Sequence, residues 1–276
     1  MEGPQLSSLV NNVTEGSVYS RPTVPRTIGG VLDDMFGLYR SALSVCWPIA
    51  LIYAVVVSAT NGVIALNAQE QSSALKLMAP VIVVASYLLW GIAGLTLEVA
   101  SIERIYAVIS ARELSIKDAL VKGLRLLPRA LLAWTMLFLA VVLGLLLLLI
   151  PGVMFGVLFC LYNVLIVVED KSASDALASS KALIEGNWWR VAAVLTMIGI
   201  VGGIFRLLAE VVSVYVVALA TTNVGVILLT EAVAAGIASL FTMPLYVAMK
   251  LSLYFDLKLR KEGGDLAGRV AALQQA

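Results

Sequence analysis

Residues 130–150, ALLAWTMLFLAVVLGLLLLLI, lead through Pro151-Gly152 into residues 153–168, VMFGVLFCLYNVLIVV, and no Asp, Glu, Lys or Arg occurs anywhere between 130 and 168. A helix needs roughly 20 residues to cross a hydrocarbon core of about 30 Å, and the first run supplies that length. Pro151-Gly152 then reads as a tight turn, the proline fixing φ and the glycine tolerating φ above zero. Two apolar runs joined in this way form a transmembrane hairpin, because only a helix satisfies its own backbone in lipid without an edge.

Outward from this hairpin, further apolar runs occur at 46–66 and 77–98 upstream and at 190–220 and 225–249 downstream. The predicted fold class is therefore all-α, a polytopic membrane protein with six transmembrane helices. The run at 153–168 is short and the run at 190–220 is long. The latter reads either as one tilted helix or as a span broken near Gly202 and Gly203, with an interfacial piece after it. Composition agrees: 61% of the 276 residues are hydrophobic, 13% are charged, and the mean hydropathy is +0.97. A soluble domain carries roughly twice that share of charge.

Other classes fall away on the same reading. A net charge of +1 offers no basic footprint for nucleic acid. With no histidine, the usual triads, zinc-protease sites and imidazole acid–base steps are absent. Cys46 and Cys160 sit in apolar runs and read as small buried hydrophobes. Neither a metal site nor a cofactor is expected.

Orientation follows from the basic residues, which are retained on the cytoplasmic side. Of the 19 Lys and Arg, 17 fall before the first span, at 99–129, at 169–190 and from Lys250 onward, leaving Lys76 and Arg206. An odd number of spans would put Lys250, Lys258, Arg260 and Lys261 on the wrong side. Trp47, Trp134, Trp188 and Trp189 fall at the same ends of their spans, with Trp90 the mid-span exception. The expected location is a bacterial cytoplasmic membrane with both termini inside, residues 1–26 forming a disordered lead without a signal peptide and 262–276 a tail.

A repeat is visible within the membrane domain, 27–261. Thr27-Ile28-Gly29-Gly30-Val31-Leu32 lines up with Ser115-Ile116-Lys117-Asp118-Ala119-Leu120 and with Ser172-Ala173-Ser174-Asp175-Ala176-Leu177. The serine of the second and third copies can cap the first turn's free N–H groups, with the aspartate bonding back. The first copy has Gly30 in place of the aspartate. Each copy is expected to open an amphipathic helix in the headgroup plane, followed by two spans, giving units at 27–114, 115–171 and 172–261. Small-residue pairs at Gly152/Gly156, Gly199/Gly203 and Ala232/Gly236 mark expected helix contacts.

Three stretches resemble a known family. Arg26 to Arg40, RTIGGVLDDMFGLYR, is similar to the opening of the membrane domain of the glycerophosphoryl diester phosphodiesterase membrane-domain family and its YciC-like relatives. Ile150 to Val191, with its Ile-Pro-Gly turn, acidic residue, capped helix and Gly186-Asn187-Trp188-Trp189-Arg190 exit, resembles the centre. Tyr254-Phe255-Asp256-Leu257-Lys258 with Arg260-Lys261-Glu262-Gly263 resembles the ending. The resemblance implies a six-helix bacterial module. Only 15 residues follow Lys261, so the phosphodiesterase barrel of fused members is not expected, and no reaction is carried over.

Candidate site residues fall in two sets. Lys122, Arg125, Arg190, Lys258, Arg260 and Lys261 are placed to meet lipid headgroups. Arg206, Glu210, Glu231 and Asn163, with Asn61 near the end of the first span, are polar groups within the membrane, where a charge costs roughly 2.5–3.5 kcal/mol even on the lenient insertion scale. The favoured expectation is a non-enzymatic membrane protein that organises the cytoplasmic leaflet or serves as accessory subunit of a membrane complex. Its partners would be lipids and other membrane-protein subunits, and no cavity through the bundle is expected. The alternative is a transporter or channel using Arg206, Glu210 and Glu231, with a polar cavity reaching them. An enzyme acting through Glu98, Glu103 or Glu169 is the weakest reading, because Arg104, Arg112 and Lys171 lie beside them as ordinary interfacial charge balance.

Overall fold

A computed structural model describes residues 22–69 and 73–274, so positions 1–21 of the expected lead lie outside the described residues. The chain is an all-α polytopic membrane protein: α1 is Ile28–Gln69, α2 Ser73–Ile109, α3 Ile116–Leu147, α4 Leu149–Leu158, α5 Tyr162–Val168, α6 Ala173–Ile184, α7 Trp188–Ala218 and α8 Val224–Gln274. Six stretches of the described residues are long and apolar enough to cross a bilayer, with α4 and α5 together making the fourth. The backbone N–H of Arg26 donates to Asp256 Oδ1 at 2.8 Å. The start of α1 and the exit of α8 therefore share one end of the bundle, called here the charged end.

The three repeated helix starts are built alike. Ser115 Oγ accepts from the Asp118 N–H at 3.0 Å and Ser172 Oγ from the Asp175 N–H at 3.3 Å. Each aspartate accepts its own cap's hydroxyl, at 2.7 and 2.6 Å, rather than bonding back to a backbone N–H. In the first copy Thr27 Oγ1 accepts from the Gly30 N–H at 3.2 Å and nothing replaces the aspartate. The fourth and eighth residues after the cap are buried in every copy: Val31 and Met35, Ala119 and Gly123, Ala176 and Ser180. One register thus sets all three inward faces.

These helices differ from the expected elbows. The first two run unbroken into their spans, within α1 and α3, carrying Pro48 and Pro128 inside the helix. Pro48 has no N–H to give Ser44, and the next carbonyl, that of Val45, accepts from Arg104 Nε at 2.7 Å. Only the third copy, α6, is a separate helix, ended at Gly186, whose φ of +86° belongs to glycine. All three turn their inner faces into the core.

The hairpin turn also differs from expectation. The reversal is made by Leu148 alone, an extended residue between α3 and α4. Pro151 falls in the first turn of α4, where its missing N–H costs nothing. Gly152 lies against α3, and a Cβ on its neighbour Gly144 would come within 2.7 Å of the Gly152 nitrogen. The fourth span gains its length from Leu149 onward, covering 20 residues to Val168, and it breaks at Phe159-Cys160-Leu161. Ser180 of α6, fully buried, mends the gap: its hydroxyl accepts from the Leu161 N–H at 3.3 Å and donates to the Leu158 carbonyl at 2.9 Å.

Residues 190–220 form one helix as far as Ala218, with Gly202 and Gly203 inside it. The expected tail is helical too, since α8 continues to Gln274. The core is not at mid-bilayer but towards the charged end. In α2, positions 95–107 are mostly buried, whereas Leu77, Val81, Val84, Leu88 and Leu89 are exposed as lipid-facing side chains. In α7, Val191, Val194 and Ile198 are buried and later positions are mostly exposed. The outer halves of α2, α3 and α7 are mostly exposed, while α1 and α8 stay in contact there, Gly62 facing Leu229 and Gly236 facing Ala54.

Candidate functional site

At the charged end, Asp256 is the hub. Its side chain is 2% exposed and takes Arg190 Nε at 3.1 Å, Arg260 Nε at 3.0 Å and the Arg26 N–H. Arg190 and Arg260 each also donate to the Arg26 carbonyl, and Arg26 Nε reaches Asp34 at 3.3 Å. A buried carboxylate persists only when paired and hydrogen-bonded in this way. Opening, centre and ending of the chain meet here, through Arg26, Arg190 and Asp256.

A second cluster joins the exit of α5 to α8. Glu169 accepts from Tyr254 Oη at 2.8 Å, Lys258 Nζ at 2.9 Å and Lys171 Nζ at 2.8 Å. Burial alone would raise the Glu169 carboxyl, but the hydrogen bonds from Lys171, Lys258 and Tyr254 outweigh it and hold the group at about 2, against an ordinary 4.5. A depressed carboxylate stabilises the fold fully above its ordinary value and loses that contribution as pH falls through the folded one. Melting in detergent should therefore be flat down to about pH 5 and fall progressively towards pH 2, while Glu169→Gln should lower the plateau and shrink the acid limb. An unchanged acid limb in Glu169→Gln would remove Glu169 as its cause.

Between the spans lies a cavity of about 710 Å³. Every one of the six spans lends it a wall, including Tyr53, Trp90, Trp134, Tyr162 and Tyr246. On α8 the lining runs from Ala235 to Lys250, about 22 Å at 1.5 Å per residue. Towards the charged end, Lys250 Nζ pairs with Glu98 Oε1, both partly buried. Arg206 of α7 also lines the cavity, and its Nε meets Glu210 at 2.8 Å. Gly199 and Gly203 line it as well: a Cβ on either would meet nothing within 4 Å. They widen the cavity instead of making the helix contact their spacing suggested. Gly236 does make one, since its Cβ would lie 2.7 Å from the Ala54 carbonyl of α1.

The candidate residues fare unevenly. Of the headgroup set, Arg190 and Arg260 are spent on Asp256, Lys258 on Glu169, and Lys122 on Glu103 at 2.8 Å; Arg125 and Lys261 stay exposed. Of the membrane set, Arg206 alone reaches the cavity, with Glu210 as its partner. Glu231 stands partly exposed outside the lining. Asn163, 1% exposed just past the break in the fourth span, has neither amide atom in a hydrogen bond of ordinary geometry. Asn61 donates to its own helix, to the Val57 carbonyl at 2.8 Å. Cys46 and Cys160 are free thiols, and Cys160 lies in the cavity wall.

Sequence reasoning placed Glu98 and Lys250 as surface charges and missed the pair they form. The available signal was the company each keeps: Glu98 stands between Leu97 and Val99, and Lys250 between Met249 and Leu251. An isolated charge inside an apolar run asks for a partner at the same depth.

A family model described as a domain of unknown function (DUF7847) matches residues 105–254, more than half of the chain. It takes in α3 to α7 and most of α8, and with them the Lys250 side of the cavity. No curated protein and no solved structure matches the chain.

Proposed function

The chain belongs to the family of this domain of unknown function, DUF7847, and we propose that it is a non-enzymatic membrane protein that holds a bilayer amphiphile in its central cavity. The observation that carries this reading is the lining: apolar, aromatic and glycine positions over about 22 Å of helix, with one ion pair towards the charged end. Pockets for amphiphilic ligands combine apolar walls with a few fixed polar groups. The walls suit hydrocarbon, and the Glu98–Lys250 pair offers a donor and an acceptor to a headgroup. Trp90 and Trp134 both line the cavity and stay exposed, which gives a tail a route in from the membrane.

This reading departs from a bundle that works only through its cytoplasmic surface, since that expectation had no cavity through the bundle and one of about 710 Å³ is present. It keeps lipids as the partner. The charged end is read as the cytoplasmic side of a bacterial inner membrane, because most of the lysines and arginines gather there. The six-helix module of the glycerophosphoryl diester phosphodiesterase membrane-domain family remains our expectation for its kinship.

The test is native mass spectrometry of the protein extracted in mild detergent. The parent should carry a lipid adduct, and Gly199→Leu with Gly203→Leu, whose Cβ atoms would meet nothing within 4 Å, should reduce it at least tenfold at unchanged melting temperature. Equal adducts in parent and double variant would sink the proposal. A second reading, transport, is favoured by one observation: the lining also includes Arg206. Reconstituted vesicles in which a fluorescent lipid changes leaflet, and do so no faster than empty ones after Arg206→Ala, would move the function from holding to translocation.

A further inference from the structure

A second cleft, of about 690 Å³, opens at the charged end between α2, α3 and the exit of α5, apart from the central cavity. Lys122, Arg125 and Arg129 line it from one face of α3, at spacings of three and four residues. Arg112 enters from the far side, on a turn where Ala111 takes φ of 51° and the Arg112 N–H closes on the Ala107 carbonyl at 2.8 Å. The Tyr106 ring lies 5.7 Å beneath its guanidinium.

Four cations thus meet two carboxylates. Glu103, 2% exposed, takes Lys122 at 2.8 Å and Arg112 at 3.5 Å; Asp170, 82% exposed, takes Arg129 at 2.7 Å. Arg125 has no carboxylate partner among the described residues. The cleft carries an excess of two positive charges. Glu103 fixes Lys122 and Arg112 in place, while the solvent-exposed Asp170 can give way to a stronger anion. Guanidinium forks suit phosphate oxygens in pairs.

We infer that this cleft, through Arg112, Lys122, Arg125 and Arg129, binds the phosphate of a phosphomonoester. A monoester carries about −1.5 to −2 at neutral pH, which matches the excess charge better than the single charge of a diester. The cleft lies where α3 enters its span, with Trp134 little more than one turn beyond Arg129. The phosphate can therefore belong to a lipid headgroup or to a soluble ester, and the test separates them.

The full-length protein in phosphatidylcholine nanodiscs is titrated with inorganic phosphate, and in detergent it is exposed to phosphatidic acid and, separately, phosphatidylglycerol, with adducts counted by native mass spectrometry. Arg125→Gln with Arg129→Gln alters two exposed side chains and should leave the melting temperature within a degree or two. We expect the double variant to weaken monoester binding about tenfold or more, a loss that two charge-assisted contacts justify. Binding of phosphatidic acid with no response to inorganic phosphate assigns a lipid, and saturable binding of inorganic phosphate assigns a soluble ester; both support the site. The inference is overturned if parent and variant bind both probes equally, or if phosphatidylglycerol binds as tightly as phosphatidic acid and is lost in parallel. The comparison is repeated in the Gly199→Leu, Gly203→Leu background, where the central cavity is filled and remaining phosphatidic acid adducts report on the cleft alone, so the two proposals fail separately.

Discussion

Asp256→Ala should cost about 3–5 kcal/mol, the usual penalty for removing one partner of a buried ion pair, and should lower the melting temperature in detergent by roughly 10 °C. The size follows from what is left behind. Arg190 and Arg260 would lose their carboxylate, and the Arg26 N–H its acceptor, at the place where the entry of α1, the start of α7 and the exit of α8 are joined. Two guanidiniums held together on the Arg26 carbonyl would then repel each other without a counter-charge. Arg190→Gln should be markedly less damaging in the Asp256→Ala background than in the parent, because the pair is already broken. A melt within 2 °C of the parent's would mean that helix packing alone holds this end together.

That cluster also shows where sequence reading succeeds and where it stops. Arg26, Arg190 and Asp256 were each marked, two of them in stretches read for headgroup contact or local charge balance, yet their convergence is invisible one-dimensionally. They are separated by 164 and 66 positions, and only tertiary packing sets which basic residue finds which acid. The spans were legible because lipid imposes length and apolarity on each helix separately. The caps at Ser115 and Ser172 were legible for the same reason, as their partners lie three residues away. The cavity was not. Gly199 and Gly203 carry a spacing that suits a close helix contact as well as an open wall, and the choice depends on which face α7 turns to its neighbours: Gly202 meets Tyr246 of α8, while Gly199 and Gly203 face open space. Similarly, an unbroken apolar run such as 153–168 says nothing of a break at residue 160, since every residue there is tolerated in either state.

That break gives the second large effect. Ser180→Ala should destabilise the protein by about 2–6 kcal/mol, from two backbone groups left unpaired at roughly 1–3 kcal/mol each. In water such a gap would be filled by solvent, but Leu161 and Ser180 are fully buried, and no water can reach them without opening the core. The one hydroxyl serves both the Leu161 N–H and the Leu158 carbonyl, so no rearrangement of the alanine variant restores either bond. Hydrogen exchange gives the direct readout: the Leu161 amide should be protected in the parent and exchange at least tenfold faster in Ser180→Ala, while the amides of α7 stay as they were. Since Cys160 and Tyr162 on either side of Leu161 line the central cavity, loosening this segment should also weaken lipid retention. Unchanged protection at Leu161 would mean that the break is mended by something other than Ser180, and would separate the fourth span's irregularity from the third repeat helix that packs beneath it.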